Sequence, residues 1–227
     1  DAYGTGAAIV AGGPAMYAYD AAGFGGSGTL LSLDGSIADV MLRKGDVNCD
    51  GGASGAVQLV IKSGNFTGGG SCTVEGSIWV NGDVTLNGGA IVNGSITGRN
   101  VTVAANTVGG NIWADETFTG KWSTPIGGWV SANTVNVAGS DIAGDAWARS
   151  GAFSVNGGSV KGTVYANGAF TIDNGSVKGG RVAGTACFSG GTVSGAFTVR
   201  TRSTSGGCKA TVSGGGSVTV GTPTIPA

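Results

Sequence analysis

An apolar residue recurs about every seventeen positions along this chain of 227 residues, at Phe66, Val84, Val101, Phe118, Val135, Phe153, Phe170 and Phe188. A period that short cannot hold a pair of packed helices, but it fits one turn of a coil of stacked strands. Two further columns keep the same period. One passes through Ile78, Ile96, Ile112, Val130, Ala146, Val164 and Val182, each followed two residues later by a small or apolar residue, from Val80 to Gly184. The other is Val57, Val74, Ile91, Val108, Ile126, Ile142, Val160, Val177 and Val193. Residues two apart in a strand share a face, so both members of each pair point inward. Three columns predict three short strands per rung of about 17 residues, with Gly and Asn-Gly steps at the corners. The predicted fold class is all-β, a single-stranded β-solenoid.

In this register the chain has three parts. Residues 1–56 read as an irregular, Gly/Ala-rich arm and cap, 57–200 as the solenoid body, and 201–227 as a loop, one loose rung and a tail. The body carries a recurrent G-x-[IV]-x-A, then a short apolar strand, then [ST]-V-x-G, as in GSVKGTVYANGAFTIDNGSVKGGRVAG. That pattern, over residues 57–199, resembles the bactofilin-type β-helix, a polymer-forming cytoskeletal domain of bacteria. The resemblance implies a right-handed coil and end-to-end assembly into unpolarised filaments without a nucleotide. The four cysteines and the absence of a starting Met depart from that cytoplasmic family and suit a secreted or surface relative.

Cys49 and Cys72 are 23 residues apart, and Cys187 and Cys208 are 21 apart, slightly more than one rung in each case. Neighbouring rungs lie about 4.8 Å apart, within the roughly 4.4–6.8 Å that a disulfide spans between Cα atoms. Two disulfides stapling adjacent rungs are therefore expected, and with them an oxidising, extracellular setting. Four buried thiols are the alternative. Zinc is disfavoured, because the chain has no CxxC and no His.

Charged residues make up 11% of the chain and the net charge is −1, which gives no basic patch for nucleic acid or an anionic membrane and favours self-association. No run approaches the roughly 18 apolar residues of a membrane span. Asp at position 1 reads as the mark of a processed form.

Four outward features compete for a function. Trp79, Trp113 and Trp147 recur every 34 residues on the first strand, with Tyr165 one rung further on. Such a ladder either packs against the N-terminal segment or another subunit, or stacks on alternate sugars of an extended polysaccharide, since two rungs span about 9.5 Å. Thr67, Thr85, Thr102, Thr119, Asn136, Ser154, Thr171 and Ser189 form a polar ladder on the second strand, which suits either an ordinary exposed strand or an ice-binding face. Asp46, Asn48 and Asp50 sit at alternate positions before Gly51, like the first half of a calcium loop, but Val57 stands where its closing carboxylate belongs. Asp83, Asp115, Glu116, Asp141, Asp145 and Asp173 are scattered over different turns, and without His neither a Ser-His triad nor a His metal site can form.

The expected function is therefore a non-enzymatic, extracellular structural protein with no cofactor. It would associate with itself, through its solenoid and N-terminal arm, into a filament, pilus-like fibre or surface layer. A carbohydrate-binding adhesin is the alternative and ice binding the third.

Overall fold

The computed structural model describes residues 16–18, 29–30, 40–49, 54–55 and 58–226. Among them are strands, turns and bends but no helix. The chain divides into two compact units, residues 1–112 and 113–227, each built of parallel strands stacked as coils of a β-solenoid.

In the first unit the three faces can be followed strand by strand. On the first face Met16, Val40, Leu59, Ile78 and Ile96 are successive partners, all parallel. On the second face the sequence is Val47, Phe66, Val84 and Val101. On the third it is Leu30, Gly55, Val74, Val92 and Val108. Pairing thus reaches back through Val47–Cys49, Val40–Leu42, Thr29–Leu30 and Met16–Ala18, well before residue 57, where the sequence pattern ends the arm. Strands of two or three residues among Gly and Ala leave too few bulky positions for alternation to show. Val57 and Asp50 lie outside the described residues.

The third face also corrects one member of its column. Ile91 pairs with Thr73 and Thr107 and is 37% exposed, whereas Val92 is buried in register with Val74 and Val108. Ile and Val are adjacent and equally apolar, so the pattern cannot choose between them, and a slip of one residue reverses the face.

The second unit stacks Phe118, Val135, Phe153 and Phe170 in one register on its second face, all fully buried, with the Phe188 ring 5.6 Å from Phe170. Ile126 and Ile142 are partners on the third face, as are Ile142 and Val160, Val160 and Val177, and Val177 and Val193. Each fully buried side chain of this size contributes on the order of 1.5–3 kcal/mol of transfer free energy, so the columns themselves supply the driving force. Phe153–Ala166 and Phe170–Phe188 continue as unbroken strands around corners, with register shifts at the bends. One such bend needs glycine on two counts: Gly158 has φ of +75°, and a Cβ there would collide with the Ser140 carbonyl.

The first face of this unit departs from the expected column near its C-terminal end. Val164 pairs with Gly180, and Val182 stacks instead on Ala166. The next partners are Phe197 on Gly180 and Val199 on Val182, both buried. The Phe197 ring occupies the room that Gly180 leaves and lies 5.1 Å from Phe170 and 5.5 Å from Phe188. Gly184, expected inside, is only half-buried, and Ala186 is the fully buried residue nearby.

Both expected disulfides are present. Cys49–Cys72 has a Cα separation of 5.5 Å and Cys187–Cys208 one of 5.2 Å, with no free cysteine among the described residues. The first does not close the beginning of the coil, since paired strands precede it.

Candidate functional site

The first face of the second unit gathers the aromatic residues. Alternation along Val130–Ala132, Ala146–Ala148 and the strand through Tyr165 buries the flanking residues and turns Ser131, Trp147, Tyr165 and Arg181 to the same outer side, in direct register. Small Ser131 leaves a gap in this row, and Trp129, from the corner just before it, fills the gap. Its ring stands edge-on to Trp113 at 6.5 Å and to Trp147 at 6.2 Å. Trp147 in turn stacks on Tyr165 at 5.2 Å, with the rings only 12° from parallel. The expected line of separate indoles is therefore a packed cluster, with a member that the 34-residue spacing misses. Trp129 was legible as a large apolar residue one position before the Val130 strand, but its corner position hid which way it points. Trp79 belongs to the first unit, where its register partners are Val60 and Thr97 and it is 43% exposed.

Arg149 fixes one end of the cluster. Its guanidinium lies 4.1 Å from the centre of the Trp113 ring, a cation–π contact. Nη1 donates to Ser131 Oγ at 3.0 Å, and Nη2 donates to the carbonyls of Ala114 and Asp115 at 2.7 and 2.9 Å. Burial lowers the Arg149 pKa from its ordinary value, opposed by the charge of Asp115. Trp113 Nε1 donates to Asp115 Oδ1 at 2.8 Å, and Asn167 Nδ2 donates to the Arg149 carbonyl at 2.7 Å.

Beside these groups lies a cleft of about 410 Å³, lined by Trp113, Trp129, Trp147, Arg149, Ile225 and Pro226 among others. The last two come from the C-terminal tail, whose Thr224 carbonyl accepts a hydrogen bond from Arg181 Nη1 at 3.1 Å. The chain thus lays its own tail against the aromatic face. One face of Trp113 is under Arg149 and one of Trp147 is against Tyr165, so neither ring has both faces open.

The polar ladder keeps its register within each unit. Asn48, Thr67, Thr85 and Thr102 are successive partners in the first, and Thr119, Asn136, Ser154 and Thr171 in the second. Two of its hydroxyls are engaged within the molecule: Ser154 Oγ donates to Asn136 Oδ1, and Ser189 Oγ bonds to the Ile172 carbonyl and to Asp173 Oδ1.

Asp46, from the calcium-like stretch, serves a corner. Its Oδ1 accepts from the Asn65 backbone N–H at 2.8 Å and from Asn65 Nδ2 at 3.1 Å. Asn65 Oδ1 accepts from the Asp83 N–H, and Asp83 Oδ1 accepts from Asn100 Nδ2. Each of these residues immediately precedes a residue of the second face, Val47, Phe66, Val84 or Val101. Arg99 adds a two-point ion pair to Asp83, at 2.9 and 3.0 Å. No group of three or more His, Cys, Asp or Glu side chains converges among the described residues.

Lys161 and Lys178 line a groove of about 330 Å³ on the third face with Ser159, Ser176, Thr192 and Ser194, a consequence of the repeated GSVKG. Trp122 stands 69% exposed at a left-handed φ of +49°, in an excursion bridged by Lys121 to Gly139.

Compared with family models, curated proteins and solved structures, the chain matches none of them.

Proposed function

We propose that this is a non-enzymatic, extracellular structural protein that associates with itself through the open end of its coil. One observation carries the reading. Val218 and Val220 stand in the inward register of the last rung, directly over buried Phe197 and Val199, yet Val220 is 60% exposed and Val218 half-buried. The strand Ser217–Val220 holds no charged residue and no proline to discourage another strand from pairing with it. Burying this rung under a second copy removes apolar surface from water and continues the ladder. The two disulfides suit an oxidising compartment, and the likeness of the repeat to polymer-forming β-helices points the same way.

Sedimentation velocity and negative-stain imaging over a concentration series test the proposal. The expected result is a rise in particle size with concentration, suppressed in Val218→Lys/Val220→Lys protein whose melting temperature is unchanged. A wild-type protein that stays monomeric throughout removes the reading. The tail and Arg149 engage the aromatic cleft in this chain, so the adhesin alternative would require the tail to leave it.

A further inference from the structure

The overall charge of −1 conceals a strong segregation along the chain. Residues 1–50 contain six carboxylates, Asp1, Asp20, Asp34, Asp39, Asp46 and Asp50, against two bases, Arg43 and Lys44. Residues 178–227 contain five bases, Lys178, Arg181, Arg200, Arg202 and Lys209, and no carboxylate at all.

The structure shows that much of this basic charge is displayed. Lys178, Arg181, Arg200 and Lys209 are exposed on the last coils, and the groove that Lys178 shares with Lys161 is lined by hydroxyls; the nearby carboxylates are engaged locally, Asp141 accepting from Ser159 Oγ and Asp173 from Ser189 Oγ. Arg202 is the exception: it packs near the Phe188 ring and donates to the Lys209 carbonyl. The same coils end in the rung that holds Val218, half-buried, and Val220, exposed, in core register.

Resting on the self-association reading, we infer that the basic C-terminal coils receive the acidic N-terminal segment, residues 1–50, of a second copy. Like ends repel and unlike ends attract, so the contact is heterologous and copies add in one direction. Such a heterologous contact leaves one acidic segment and one basic surface unpaired unless a ring closes, so assembly continues by further copies. Apolar stacking at the last rung supplies short-range attraction; the charges set polarity and encounter rate.

The test uses the full chain with reversed charges. One variant carries Lys178→Glu, Arg200→Glu and Lys209→Glu, and the other Asp20→Lys, Asp34→Lys and Asp39→Lys, each checked for an unchanged melting transition. By light scattering and negative stain, each alone is expected to need roughly tenfold or more protein than wild type to assemble, and their equimolar mixture to assemble again. Wild-type assembly is expected to weaken as salt rises from about 0.02 M to about 0.5 M. Wild-type assembly that ignores both salt and charge reversal overturns the head-to-tail contact while leaving self-association intact. Failure of the wild type to assemble under any condition overturns both. Retention of a monomeric wild type on polygalacturonate overturns this inference in favour of an anionic polysaccharide as the partner of the basic coils.

Discussion

Gly180 illustrates how much one missing side chain decides. A Cβ there would run into the Phe197 ring and the Val164 carbonyl, so the glycine is what admits a fifth phenylalanine to the core of the second unit. Gly180→Val is expected to cost about 1–3 kcal/mol by overpacking, read as a lowered denaturation midpoint with an unchanged slope. A neutral result would mean that the ring can move aside. Asp83 makes a different kind of contribution. Hydrogen bonds from Arg99, assisted by Asn100 and opposed by slight burial, hold its carboxyl below the ordinary carboxylate pKa. A depressed pKa in the folded state stabilises it above the ordinary range, and the contribution is lost as pH falls through the folded value. Asp83→Asn is therefore expected to be less stable than wild type near neutral pH, with the gap closing in melts below about pH 4. An unchanging gap would assign the effect to packing. Neither residue's role was legible in the sequence: Gly180 looks like any corner glycine, and Asp83 like one of several scattered acids.

At the scale of strands and rungs, the apolar columns were readable because each rung repeats the same requirement. Phe118, Val135, Phe153 and Phe170 fall into one register as their spacing indicates. Legibility failed where rung length varies or two apolar residues adjoin, as at Ile91 and Val92, and where a bend shifts the register, as before Val182. The disulfides followed from the rung distance alone. Cys187–Cys208 ties the last long strand to the loop that leads into the final rung. Replacing both cysteines by Ser is expected to lower stability by roughly 2–4 kcal/mol on the chain-entropy estimate. Hydrogen exchange should quicken first in Ala196–Arg202 and Ser217–Val220, because a rung with a neighbour on one side opens most easily. Uniform loss of protection along the chain would contradict this local role. The aromatic cluster belongs to the same scale: spacing located Trp113, Trp147 and Tyr165, but the fold was needed to reveal Trp129 between them and the tail against them.

For the molecule as a whole, composition pointed to a protein that does not repel its own copies, and the structure adds a rung with core residues uncovered. The alternation of amide directions along a strand makes this edge directly observable. Ser217 and Gly221 donate their N–H groups back to the Gly195 and Val199 carbonyls, so the amides of Val218 and Val220 point to the opposite edge. Residue-resolved hydrogen exchange of these two amides, followed against protein concentration, tests self-association through the coil end most directly. The account predicts fast exchange in dilute protein and growing protection as particles lengthen. Equally fast exchange of Val218 and Val220 at every concentration, in samples whose particles demonstrably grow, would contradict it.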